Sequence, residues 1–123
     1  MMILRNNKTN FIDMKPISIN VINLPSRTDR REHVINQFAD KPEYSLCVVV
    51  AISHQRGAYG LWLTLQQVVS EKLESDSDFF ILCEDDHTFT QHYSFELLQH
   101  CIEQAKVLNA DILSGGVSWF GNA

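Results

Sequence analysis

The sequence predicts an α/β fold, a three-layer α/β/α arrangement on a mostly parallel sheet. Three observations predict it. Short apolar, β-branched runs alternate with segments of helical period. The third such run leads straight into three carboxylates. The length of 123 residues holds one domain and one core. Strand–helix alternation repeated along a single domain demands right-handed crossovers, which lay successive strands parallel.

The elements follow in order. Residues 1–16 read as a polar extension, broken by Asn6, Asn7, Lys8 and Asn10, and 17–123 as the α/β domain. Ile17 to Leu24 is the first buried strand, ended by Pro25. Ser26, with Asp29 three residues on, offers a capping-box start for a helix carrying Val34, Ile35 and Phe38. Leu46 to Ile52 is apolar throughout, as a strand covered on both faces would be. A long helix from Ala58 to Leu73 places Leu61, Trp62, Leu65, Val68, Val69 and Leu73 on one stripe. Phe79 to Cys83 is the third strand. A last helix, Ser94 to Leu108, buries Leu97, Leu98, Cys101, Ile102, Ala105 and Leu108, and Asp111 to Ser114 is a fourth strand entering Gly115-Gly116.

Composition narrows the function. Hydrophobic residues make up 45% and charged residues 20%, which is ordinary globular usage and excludes disordered and collagen-like classes. Ten basic against 15 acidic residues give a net charge of −5, which argues against nucleic acid or an anionic membrane as the main partner. No run approaches the roughly 20 apolar residues of a membrane span, and Met1 to Lys15 lacks the apolar core of a secretory signal. Cys47, Cys83 and Cys101 form no C-x-x-C pair and are odd in number, so reduced thiols and a cytoplasmic location are expected.

Ligands of parallel sheets bind beyond the carboxyl ends of the strands. That rule selects 23–31, 51–57 and 84–88. Glu84, Asp85 and Asp86 repel one another, so their place at a strand end favours a bound cation. Oxygen-rich sites suit Mg²⁺ or Mn²⁺, commonly held by one or two carboxylates plus substrate phosphates. In an extended segment Glu84 and Asp86 point one way and Asp85 the other, so the first two would share a metal–diphosphate unit. The competing reading is a solvated acidic turn. Arg27, Arg30 and Arg31 gather at a helix start, where free N–H groups and guanidinium forks favour phosphate. Solvated surface arginines are the alternative. His54, in the loop after the second strand, is a candidate to face the site; His87 abuts the acidic triplet as a surface histidine. No phosphate loop of the Gly-x-x-x-x-Gly-Lys type and no Ser/His/Asp arrangement is present.

Three stretches, taken in order, resemble glycosyltransferase family 25, the lipopolysaccharide-biosynthesis glycosyltransferases. Val21-Ile-Asn-Leu24 with Arg27, Asp29, Arg30, Arg31 and Glu32 is similar to that family's opening strand and arginine-rich turn. Ile81-Leu-Cys-Glu-Asp-Asp86 is similar to its Ile-Leu-Glu-Asp-Asp segment, the counterpart of the Asp-x-Asp metal motif of GT-A transferases. Asp111-Ile-Leu with Gly115-Gly116 is similar to the close of its nucleotide-binding half. The resemblance implies a Rossmann-like, GT-A donor-binding half that moves a sugar from a nucleoside diphosphate donor to a saccharide acceptor, in lipopolysaccharide or surface-glycan synthesis. It implies Asn23, Leu24, Arg27, Arg30, Arg31, Ala51, Glu84 and Asp85 around the donor, and Asp86 with Glu84 on a divalent metal, Mn²⁺ or Mg²⁺. No catalytic base is assigned.

The sequence departs from the family in two ways. The family's Gly-x-x-Gly-Cys-x-x-Ser-His keeps Gly57 and Gly60 here, with Leu61, Thr64 and Leu65 replacing Cys, Ser and His. GT-A enzymes also continue past this point with an acceptor site, so the chain reads as C-terminally truncated, and Trp119 and Phe120 as a segment that pairs with a second copy. Two rival readings stand beside the transferase. One is a non-catalytic nucleotide-sugar-binding or interaction module. The other is a haloacid-dehalogenase-type phosphatase, whose Asp-x-Asp-x-Thr signature Glu84-Asp-Asp-His-Thr88 approaches, but with Glu in the nucleophile's place.

Overall fold

The computed structural model describes residues 1–5 and 16–115. In chain order the elements are β1 (Met2–Arg5), β2 (Ile17–Asn23), α1 (Thr28–Phe38), β3 (Tyr44–Val50), α2 (Gly57–Leu73), β4 (Phe79–Glu84), α3 (Phe95–Val107) and β5 (Ile112–Ser114). The strands form one mixed sheet in the order β3-β2-β4-β1-β5. β2 pairs parallel with both β3 and β4, while β1 runs antiparallel to β4 and to β5. The strands read from the sequence therefore all run one way. β1, which the sequence reading assigned to a polar extension, is the one reversed strand among the described residues.

β1 forms because four residues suffice when both edges are taken. Ile3 is 5% exposed and joins the core, and Met2 and Leu4 pack on the opposite face, as strand alternation requires. Arg5 fixes its end by donating to Asn109 Oδ1 at 2.9 Å. Asn109 itself ends α3 in the left-handed region at φ 53°. The flanking amides close a Schellman motif, Ala110 N–H to Ala105 O and Asn109 N–H to Lys106 O, each at 2.9 Å.

Helices cover both faces of the sheet. Val34 and Phe38 of α1 and Ile102 of α3 pack with Ile19, Val21, Ile81 and Cys83. Val68 of α2 packs with Phe80 and Leu82 on the other side. Two sequence expectations shift here. α1 starts at Thr28 with Arg27 at the cap position and no side-chain cap bond, so Ser26 does not cap it; Ser94 does cap α3, accepting from Leu97 N–H at 3.0 Å. The buried stripe of α2 is Gly60, Thr64 and Val68, with Leu61, Trp62 and Leu73 exposed. Small residues line that stripe because a Cβ at Gly60 would collide with the Ile52 carbonyl oxygen. The long apolar side chains are thereby turned outward. Likewise α3 buries Ile102 and leaves Leu97 and Leu108 exposed. Trp119, Phe120 and the proposed C-terminal pairing segment lie outside the described residues, as does Gly116.

Candidate functional site

The parallel pairing brings the predicted strand ends together. Asn23 lies opposite Val50, Ile22 opposite Glu84, and Ala51 N–H donates to Asn23 O at 2.9 Å. From β2 the chain departs through α1 to β3 on one side, then returns through α2 to β4 on the other. The connections thus diverge between β2 and β4, which is where open α/β sheets leave a crevice. A cleft of about 440 Å³ opens there. Arg27, Arg30, Glu84 and Asp85 give it a charged wall; Leu24, Ala51, Ile52 and Leu61 give it an apolar one. Ser26, Ser53, His54 and Gly57 also line it.

Two polar residues are buried at its base, Asp85 in the lining at 6% exposure and Asn23 just beneath it at 4%. Burial of a carboxylate needs hydrogen bonds to offset desolvation, and both oxygens have them. Asn23 Nδ2 donates to Asp85 Oδ2 at 2.8 Å and to Arg27 O at 3.1 Å, and Arg30 Nη1 donates to Asp85 Oδ1 at 3.3 Å. Asn23 is therefore a brace between the two segments that carry the charges. Arg27 turns its Nε and Nη2 to Asp29, at 2.9 and 2.7 Å, and this two-point bond holds the exposed Asp29 carboxyl below the usual carboxylate range. Arg31 is exposed and is not among the residues lining the cleft.

The acidic triplet divides differently from the alternation argument. β4 ends at Glu84, and Asp85-Asp86 enter a turn closed by His87 N–H to Glu84 O at 3.2 Å. Alternation holds only in extended backbone, so it stops at Glu84. Asp85 goes inward beside Glu84 at the cleft, while Asp86 is exposed and outside the lining. Glu84 is exposed and open to a ligand. Among the described residues no group of three or more His, Cys, Asp or Glu side chains is placed to hold a metal ion.

The rest of the turn is anchored by packing. The His87 ring stacks on Phe38 at 5.9 Å and meets Phe89 edge-on at 4.7 Å, and burial lowers its pKa. His33 Nε2 bonds the His87 carbonyl at 3.0 Å, tying the turn to α1. His87 is thus a wedge that seats the acidic turn.

The apolar wall is set by α2. Thr64, fully buried, donates to Gly60 O at 2.8 Å and accepts from Ile52 N–H at 2.9 Å. With Gly60 admitting the loop, this clamps 51–54 against the helix. The hydroxyl at Thr64, where the family pattern has Ser, is therefore structural here. His54 does face the cleft; its Nδ1 accepts from Arg56 N–H at 3.0 Å, which leaves Nε2 to carry the proton of the neutral ring. Ser26, Ile52, Ser53 and Leu61 were absent from the sequence-derived set. The carboxyl-end rule already selected the two loops holding Ser26 and Ser53, but nothing in their types marked them.

The arrangement defines an α/β protein with a cleft at the carboxyl ends of its parallel strands. Comparison of the chain with protein-family models, with curated proteins and with solved structures finds no match in any of the three. Among the described residues no helix is long and apolar enough to cross a membrane.

Proposed function

We propose that the chain is the donor-binding part of a glycosyltransferase of the family 25 type its motifs resemble, and that the cleft grips the diphosphate of a nucleotide sugar. One observation carries the reading: two of the three family-like stretches, 21–32 and 81–86, meet at this cleft and supply its charged wall. The third belongs to β5, separated from β4 by β1, and takes no part. The two walls suit the two ends of such a donor. A diphosphate matches guanidinium groups, and a planar base or sugar face matches the apolar surface of Leu24, Ile52 and Leu61.

A divalent ion, Mg²⁺ or Mn²⁺, enters this proposal as a companion of the nucleotide. Glu84 is the carboxylate that the cleft leaves open, Asp85 has both oxygens engaged, and phosphate oxygens would complete the shell. When bound, the ion would neutralise charge on the departing diphosphate. Arg30 and Arg27 place positive charge beside the phosphates, and Asn23 keeps their segment fixed to the end of β4. A saccharide acceptor and a catalytic base belong to the proposed whole enzyme, and no residue described here is assigned to either.

The test is calorimetry with uridine and guanosine diphosphates, with Mn²⁺ and with chelator. Binding of at least one nucleotide, tightened by Mn²⁺ by about tenfold, is expected. Absence of binding for both nucleotides in both conditions contradicts the reading.

A further inference from the structure

We infer that Arg30, of the three arginines following β2, is the group that takes the phosphate, and that Asp85 is its positioning residue and not a ligand of nucleotide or metal. The inference rests on the reading of the cleft as a diphosphate site and deepens it.

The three arginines look interchangeable in sequence. The structure separates them. Arg31 lies outside the lining. Arg27 reaches the cleft, but its Nε–Nη2 edge is already closed in a two-point bond to Asp29. That edge is the one a phosphate would use, because guanidinium binds oxyanions best through two parallel N–H groups. Arg30 also lines the cleft, with its side chain 41% exposed. It makes a single bond, from Nη1 to Asp85 at 3.3 Å. A guanidinium carries five N–H donors, so the Nε–Nη2 edge of Arg30 keeps its donors with no partner among the described residues.

Asp85 has the opposite character. Its side chain is 9% exposed, and its two oxygens accept from Asn23 and Arg30. Asn23 is neutral, so Arg30 supplies the only cation bonded to that buried carboxylate among the described residues. The pair is thus mutually required. Asp85 anchors one corner of the guanidinium to the end of β4, and the free edge is left for the ligand. A flexible arginine held at one corner loses less rotamer entropy on binding, which is the benefit of preorganisation.

The experiment measures uridine diphosphate binding by calorimetry, with Mn²⁺ and with chelator, for the wild type and for Arg30→Met, Arg27→Met, Arg31→Met and Asp85→Asn. Arg30→Met should lose about tenfold or more, and Arg27→Met and Arg31→Met about threefold or less. Asp85→Asn should weaken binding by about three- to tenfold while leaving the ratio of affinities with and without Mn²⁺ unchanged. That ratio is the readout a metal ligand would move. Arg30→Met leaves a buried carboxylate unpaired and could unfold the chain; the double variant Arg30→Met/Asp85→Asn removes both charges, and should fold yet still bind weakly. Equal losses at Arg27 and Arg30, or loss of the Mn²⁺ effect in Asp85→Asn, overturn the inference while the diphosphate site stands. A wild type that binds no nucleotide overturns both.

Discussion

On one face of the sheet Ile19, Val21, Ile81 and Cys83 meet two helices and an aromatic group; on the other, Phe80 and Leu82 meet α2. The aromatic group is dense. Phe38 touches Tyr44 at 5.3 Å and Phe89 at 5.0 Å, Phe89 touches Tyr93 at 4.5 Å, and Lys41 Nζ sits 4.5 Å over the Phe89 ring. Tyr93 Oη then donates to Glu43 at 2.6 Å and is 3.0 Å from Tyr44 Oη. α2 instead leaves Tyr59 and Trp62 half-exposed, their rings stacked on each other at 5.9 Å. The cleft spans this difference. Arg30 of α1 and Asp85 of the β4 turn belong to its charged wall, Glu84 alternates to the face of Phe80 and Leu82, and Leu24, Leu61 of α2 and the loop that Thr64 clamps make the apolar wall. Precision in placing charge needs side chains locked by packing, and of the charged groups at the cleft Asp85 is the buried one, while Glu84 stays exposed.

The comparison breaks first at Phe38. Phe38→Ala should cost about 3–5 kcal/mol in urea denaturation, because it empties the centre of the aromatic group and undercuts His87. Leu82→Ala on the α2 face should cost about 2 kcal/mol, the low end for such a change, since fewer neighbours surround it. Equal losses would erase the distinction between the faces.

Thr64→Val sharpens it. The exchange keeps shape but removes the acceptor for Ile52 N–H, for an expected loss of about 1–2 kcal/mol. Thr64→Ser should restore most of it. The smallest effect is alkaline. Burial pushes the Cys83 thiol up to about 12, with the neighbouring Asp86, Glu84 and Asp85 acting in the same direction. The unfolded thiol loses its proton near pH 8.5–9 and the folded one only near 12. Between those values the folded state holds more protons, so stability falls as pH rises, by about 1 kcal/mol from pH 9 to pH 10. Cys83→Ala should flatten that slope. Tyr44 and Tyr93, raised mainly by burial, add to the same fall above pH 10.

Much of this was legible in the sequence, for physical reasons that can be named. β4 is a nearly continuous apolar run and β2 a β-branched one broken by Ser18 and Asn20, and α1, α2 and α3 have helical period. β3 was read two residues late, since Tyr44 and Ser45 lack the apolar signature of the rest. β1 was not legible: four residues are too few for a pattern, and its stability comes from pairing with two strands distant in sequence. The face of α2 was misjudged because hydrophobicity favours Leu and Trp, whereas the close approach to Ile52 demands Gly60 and Thr64. At the site, Leu24, Arg27, Arg30, Ala51, Glu84 and Asp85 line the cleft at the segments that strand direction selects, and Asn23 braces them from beneath. Asp86 lies outside the lining because a turn begins after Glu84 and ends the alternation that would have paired the two, and turn geometry leaves no trace in a run of three acids.

The central claim is that the carboxyl-end cleft binds a nucleoside diphosphate, and nuclear magnetic resonance on the ¹⁵N-labelled chain tests it most directly. Titration with uridine diphosphate and Mg²⁺ should shift the backbone amides of 23–30, 51–54 and 84–85, with amides of β1 and β5 unmoved. Mg²⁺ replaces Mn²⁺ there because it does not broaden the signals. Saturable shifts confined to those segments are the expected result. Shifts centred elsewhere, or a spectrum unchanged at millimolar nucleotide, would contradict it.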